Sequence, residues 1–178
     1  MNIMEKPKIS TKNLVIIALF IALSFAGSYL KLFGTIAFDS LPGFLAALLL
    51  GPVYGAIIGF MGHMFTALTS GFPMSIPMHI VIALTMAITM LGFGYTYKAL
   101  IKKVPVLVTL IITGAAGIIL NGPVSLAFSM GVLALIAGPD AALGLIALLP
   151  ALLIAATANV VISIILFKSL EGVQDKIK

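Results

Sequence analysis

Cysteine is absent from this 178-residue chain. Disulfides, thiolate metal sites and a cysteine nucleophile are therefore excluded. Charge is scarce: charged residues make up 8% of the sequence, against roughly 25% in soluble domains. Between Leu14 and Phe167 the charged side chains are Lys31, Asp39, Lys98, Lys102, Lys103 and Asp140. Catalytic signatures are missing as well. There is no Gly-x-x-x-x-Gly-Lys-Ser/Thr loop, no Gly-x-Ser-x-Gly and no His-Glu-x-x-His. His63 and His79 are the only histidines. With no carboxylate in their segments, a catalytic zinc site lacks ligands. No catalytic residue, metal or cofactor is expected, and the chain is read as a non-enzyme.

What the sequence does hold is apolar. Hydrophobic residues make up 62% of it. A soluble protein this apolar cannot cover its core with polar surface; a bilayer removes that requirement. The length allows about six helical crossings of ~20 residues each, which leaves a single integral membrane domain over 1–178. No acidic residue sits at mid-membrane, so a proton-coupled exporter of the small multidrug type lacks its carboxylate. The formal charge of +5 does not point to nucleic acid. The lysines cluster in short tails and one loop, without aromatic interleaving. The first apolar run lacks a small-residue cleavage site and reads as a retained helix.

The fold class expected is all-α, with six transmembrane helices and both termini cytoplasmic. The first helix spans about 13–33, preceded by Lys6, Lys8 and Lys12. Residues 41–69 read either as one long helix or as two broken at Gly51-Pro52, where proline removes a donor and glycine tolerates reversal. Charge parity decides between them. Lys98, Lys102 and Lys103 form the one strongly basic internal loop, which belongs in the cytoplasm. An even number of crossings must precede it, so helices at about 36–50 and 52–69 are expected. A fourth follows at about 77–99, with Pro77 in its first turn. The fifth covers about 104–137, and a kink at Asn121-Gly122-Pro123 accommodates its excess length. The sixth covers about 142–167 and ends in Lys168, Lys176 and Lys178.

Polar residues in hydrocarbon are costly and face protein, water or ligand. They collect here in the outer half: Thr35, Asp39 and Ser40, then His63, Thr66 and Thr69, an uncharged loop Thr69–Pro77 that includes Phe72 and Ser75, His79, and Asn121 with Ser125. Together they can line an outward pocket with apolar walls. Each also has a plainer role, as helix cap, interhelical hydrogen bond or solvated loop. Asn159, deeper in the sixth helix, reads as an interhelical hydrogen bond. Ala18, Ala22 and Ala26 share one face of the first helix. In lipid such a stripe permits close approach, either to a partner or within the bundle. Gly51, Gly55, Gly59 and Gly62 form a second small-residue face, read as internal packing.

Six short helices in a small chain, the stripe Ala18-x-x-x-Ala22-x-x-x-Ala26 and polar loops at the outer face resemble the S components of energy-coupling factor (ECF) vitamin transporters. The resemblance covers nearly the whole chain. It implies that the stripe docks on a transmembrane coupling subunit working with two ATPase subunits, in the plasma membrane of a prokaryote. It also implies high-affinity binding of a vitamin or vitamin precursor outside and its release inside. The segments Asp39-Ser40-Leu41-Pro42-Gly43-Phe44, Gly62-His63 and Thr66–Pro73 look most like the α-ribazole group, assigned to uptake of a cobalamin precursor. One carboxylate, two histidines and no nearby arginine suit a neutral or weakly basic heteroaromatic ligand. Phe72, Phe44 or Phe128 can stack on such a ring, and Asp39 or Asn121 can bond sugar hydroxyls. Pantothenate, with Lys31 as its basic partner, and pyridoxine remain alternatives, as does a self-sufficient channel or facilitator.

Overall fold

Glycine and proline set the element boundaries in the computed structural model, which describes residues 11–32 and 36–177, with side chains over 11–30 and 38–170. Among these residues the helices are α1 (Thr11–Gly27), α2 (Leu41–Leu49), α3 (Pro52–Thr69), α4 (Ile76–Leu100), α5 (Val106–Ile119), α6 (Ser125–Ala137), α7 (Pro139–Gly144) and α8 (Leu149–Ile177). A π turn, Leu120–Val124, makes α5 and α6 continuous, and a 3-10 turn, Leu145–Leu148, joins α7 to α8. Six helical segments result. Three of them are long and apolar enough to cross a membrane: Ile76–Leu100, Val106–Ala137 and Pro139–Leu170. Of the expected sequence landmarks, Lys6, Lys8, Thr35 and Lys178 lie outside the described residues, and the side chains of Lys31 and Lys176 do as well.

The first two helices differ from expectation. α1 stops at Gly27 and not at Phe33. There the Ser28 hydroxyl donates to the Phe25 carbonyl across 2.6 Å, and the chain turns. A minimal antiparallel ladder follows, pairing Lys31 with Ala37 and Leu32 with Ile36. Residues 29–32 and 36–37 therefore serve a turn and two short strands, a use that hydrophobicity alone does not separate from helix. α2 accordingly starts at Leu41 and not at residue 36. Its nine residues extend about 14 Å, less than half of a ~30 Å hydrocarbon core. Pro42 and the six residues after it are all buried, so α2 is an interior half-length helix.

Gly51 makes the reversal into α3 possible. Its φ of 118° lies in a region that side chains resist, and Pro52 opens the next helix where no N–H is needed. α3 then runs beside α1 in the same direction. Asn13 donates to the Tyr54 hydroxyl near their starts. Further along, a Cβ on Gly62 would stand 3.0 Å from the Ser24 Cβ and 2.8 Å from the Asp39 carbonyl oxygen. Gly62 thus lets α1, α3 and the turn before α2 meet backbone to backbone. The bundle core gathers around Phe44 and Phe93, whose rings meet edge to face at 4.9 Å, with Met90, Leu110, Val160 and Phe167.

The fifth segment carries Pro123 inside its π turn. Proline lacks an N–H and collides with the carbonyl four residues earlier in an α-helix; the wider turn absorbs that conflict without ending the helix. Asn121 and Gly122 are buried there. The sixth segment begins at Pro139, ahead of the expected residue 142, because Gly138 (φ 92°) sets up a proline-led turn.

Candidate functional site

Helical spacing brings the polar residues together. His63 and Thr66 sit three apart on α3, and His79 opens α4 with Ile82 and Met86 below it on the same face. Asp39 ends the turn ahead of α2, and its carboxylate accepts the Thr66 hydroxyl at 2.5 Å. His63 Nδ1 lies 3.8 Å from the same carboxylate oxygen. On its other side, His63 Nε2 is 3.2 Å from His79 Nδ1, with the two rings stacked. Ser125 exchanges a 2.8 Å hydroxyl contact with Thr85 of α4, which fixes α6 against α4.

These groups surround one cavity of about 750 Å³, its open mouth included. Like small-molecule sites in general, it is concave and mostly apolar, with a few polar groups. Asp39, Ser40, His63, His79, Asn121, Ser125, Ser129 and Asn159 supply its polar wall. Its apolar wall comes from Met74, Ile82, Met86, Leu126, Leu145, Leu148, Leu152, Ala155 and Ala156. Buried atoms of this wall with no hydrogen-bond partner among the described residues include His79 Nε2 and Asn121 Oδ1. Buried polar groups are ordinarily satisfied, so such orphans at one cavity mark a place built for another molecule's polar atoms.

Five of the expected site residues line the cavity: Asp39, His63, His79, Asn121 and Ser125. Thr66 stands behind them and acts through Asp39. Phe44 is elsewhere: it is fully buried in the core against Phe93, out of reach of a ligand. Phe72 touches the edge of His79 at 5.8 Å without lining the cavity. Phe128 is exposed, and Ser75 is an exposed loop residue. Ring stacking on phenylalanine is therefore not what this cavity offers; methionine sulfur and leucine face the space instead, and thioethers also pack well on aromatic rings.

Asn159, read from sequence as an interhelical bond, is part of the wall. A signal for it existed. Leu148, Leu152, Ala155, Ala156 and Asn159 fall on one face at helical spacing. Ser129 likewise continues the four-residue step from Ser125. The glycine face was read correctly for Gly55, Gly59 and Gly62, each with a neighbour within 3 Å of a would-be Cβ.

The family model described as "ECF transporter, substrate-specific component" matches residues 12–171. The chain belongs to this family. Comparison with curated proteins and with solved structures gave no match. As a substrate-specific component of an ECF transporter, it is a membrane transport protein that works with ECF module subunits on a small-molecule substrate. On this component α1 turns Ser24 and Ser28 inward, both buried. Ala18, Ala22 and Ala26 are exposed on the opposite side. Among the described residues the alanine stripe is thus left unburied.

Proposed function

We propose that this ECF component captures a vitamin or vitamin precursor at the outer face of a prokaryotic plasma membrane, with α-ribazole the first ligand to test. The observation that carries the reading is the cavity, which combines orphaned buried polar atoms with largely aliphatic walls. The wall contains no lysine or arginine among the described residues, which favours a neutral or weakly basic heteroaromatic ligand over pantothenate. An outward mouth follows from charge. His79 and Lys98 lie at opposite ends of α4, about 28 Å apart by helical rise. Lys98, Lys102 and Lys103 belong on the cytoplasmic side by the positive-inside rule. The short α2, entered from a turn at the depth of Gly62, completes a six-segment path with both termini inside. The exposed alanine stripe of α1 is the docking face for the coupling subunit, which works with two ATPase subunits.

Isothermal calorimetry on the detergent-solubilised protein tests the ligand. Saturable heat with α-ribazole, absent with pantothenate and pyridoxine, supports the reading. Heat with another vitamin alone moves the substrate assignment, and none across the panel overturns ligand capture. Solute entry into liposomes holding this protein alone, without ATP, would assign a facilitator instead.

A further inference from the structure

The cavity has a hydrogen-bond polarity, and it is set by a series of contacts along its wall. A nitrogen-to-nitrogen contact of 3.2 Å between His63 Nε2 and His79 Nδ1 holds one hydrogen: two facing N–H groups would collide, and two bare nitrogens would repel. Which ring owns that hydrogen depends on the far side of His63. There, Nδ1 faces the Asp39 carboxylate oxygen at 3.8 Å. A bare nitrogen toward a carboxylate is repulsive, while an N–H toward it is attractive. That contact is too long for a hydrogen bond, and burial beside a second imidazole disfavours a charge on either ring, so the rings are taken as neutral. A neutral imidazole carries one N–H and one bare nitrogen. With its hydrogen on Nδ1, His63 accepts at Nε2; His79 then donates from Nδ1 and keeps Nε2 bare.

We propose that the contact series Thr66–Asp39–His63–His79 makes His79 a hydrogen-bond acceptor for the ligand, so that the site selects an uncharged molecule bearing a hydroxyl or N–H donor at that point. This rests on the reading of the cavity as the ligand site. His79 lines the cavity, and its Nε2 is buried with no partner among the described residues. Asn121 Oδ1, also orphaned, is a second acceptor. A ligand carboxylate would meet lone pairs at both atoms and the Asp39 charge behind them. Asp39 lines the cavity as well; in setting the tautomer it is a positioning residue, which acts through the two rings.

Long-range 15N–1H correlation spectra of histidine-labelled protein in micelles read the tautomers directly, and a His79→Gln variant assigns the signals. The expected result is protonated Nδ1 and bare Nε2 on His79 in the free protein. Asp39→Asn, which removes the negative charge, is expected to give a mixture of tautomers. A protonated His79 Nε2 in the unaltered protein, or a spectrum unchanged by Asp39→Asn, overturns the proposal. A pair of probes reads the selectivity by thermal shift. Benzimidazole, which has an N–H, is expected to bind on the order of tenfold more tightly than 1-methylbenzimidazole, which lacks it. Equal or reversed affinities overturn the donor preference. If neither probe stabilises the protein while the tautomers are as expected, the cavity's ligand role fails and its polarity stands.

Discussion

The Thr66 hydroxyl donates to the Asp39 carboxylate across 2.5 Å, and both residues are buried. This bond ties the turn ahead of α2 to the middle of the cavity wall. Thr66→Val keeps the side-chain shape and removes the donor. It leaves a buried carboxylate short of one partner, at a cost of about 1.5–3 kcal/mol for a bond to a charged group. The expected outcome is a lower unfolding temperature in detergent and weaker ligand binding by calorimetry, with Thr66→Ser restoring most of both.

Gly62 and Gly131 make a matched pair. A Cβ on Gly62 meets the Asp39 backbone oxygen at 2.8 Å, whereas one on Gly131 meets nothing within 4 Å. Gly62→Ala is expected to destabilise by about 1–3 kcal/mol, because backbone must move. Gly131→Ala is expected to be neutral or to stabilise by up to about 1 kcal/mol through helix propensity. Thermal unfolding of the two variants side by side checks the contrast.

Ala22→Trp places a large ring on the exposed face of α1. Since Ala22 is exposed among the described residues, fold and ligand affinity are expected to persist. Co-purification with the coupling subunit and uptake into cells are expected to fall at least tenfold. Loss of ligand binding together with the fold would return the stripe to internal packing.

Ser75 has a φ of 92° and a ψ of 154°, a conformation held almost only by glycine and costing about 1–3 kcal/mol elsewhere. Ser75→Gly is expected to raise the unfolding temperature. If the strained loop beside Met74 also gates entry to the cavity, ligand on- and off-rates measured by stopped flow will change while the equilibrium affinity stays within about threefold; a purely structural loop leaves the rates alone.

Much of this arrangement was readable from residue type and spacing. Gly51-Pro52 marks the α2–α3 break at its observed place, since both residues act through backbone constraints that need no neighbour. His63, His79, Asn121 and Asp39 stand out because polar groups in apolar runs demand partners. Phe44 did not reveal its role. An aromatic ring suits a core and a binding wall equally, and only the position of Phe93 settles which it occupies. The end of α1 was hidden for a similar reason: Tyr29, Leu30 and Leu32 are as apolar in a turn and strand as in a helix.

The π turn at Leu120–Val124 holds a surplus residue relative to an α-helix of the same rise. Everything after it is set back in phase by roughly 100°, the angle of one residue. Wound as uninterrupted α-helix, the same residues would carry Ser125 and Ser129 away from the chamber with every side chain chemically unchanged. The binding face of α6 thus depends on one wide turn rather than on the chemistry of any side chain.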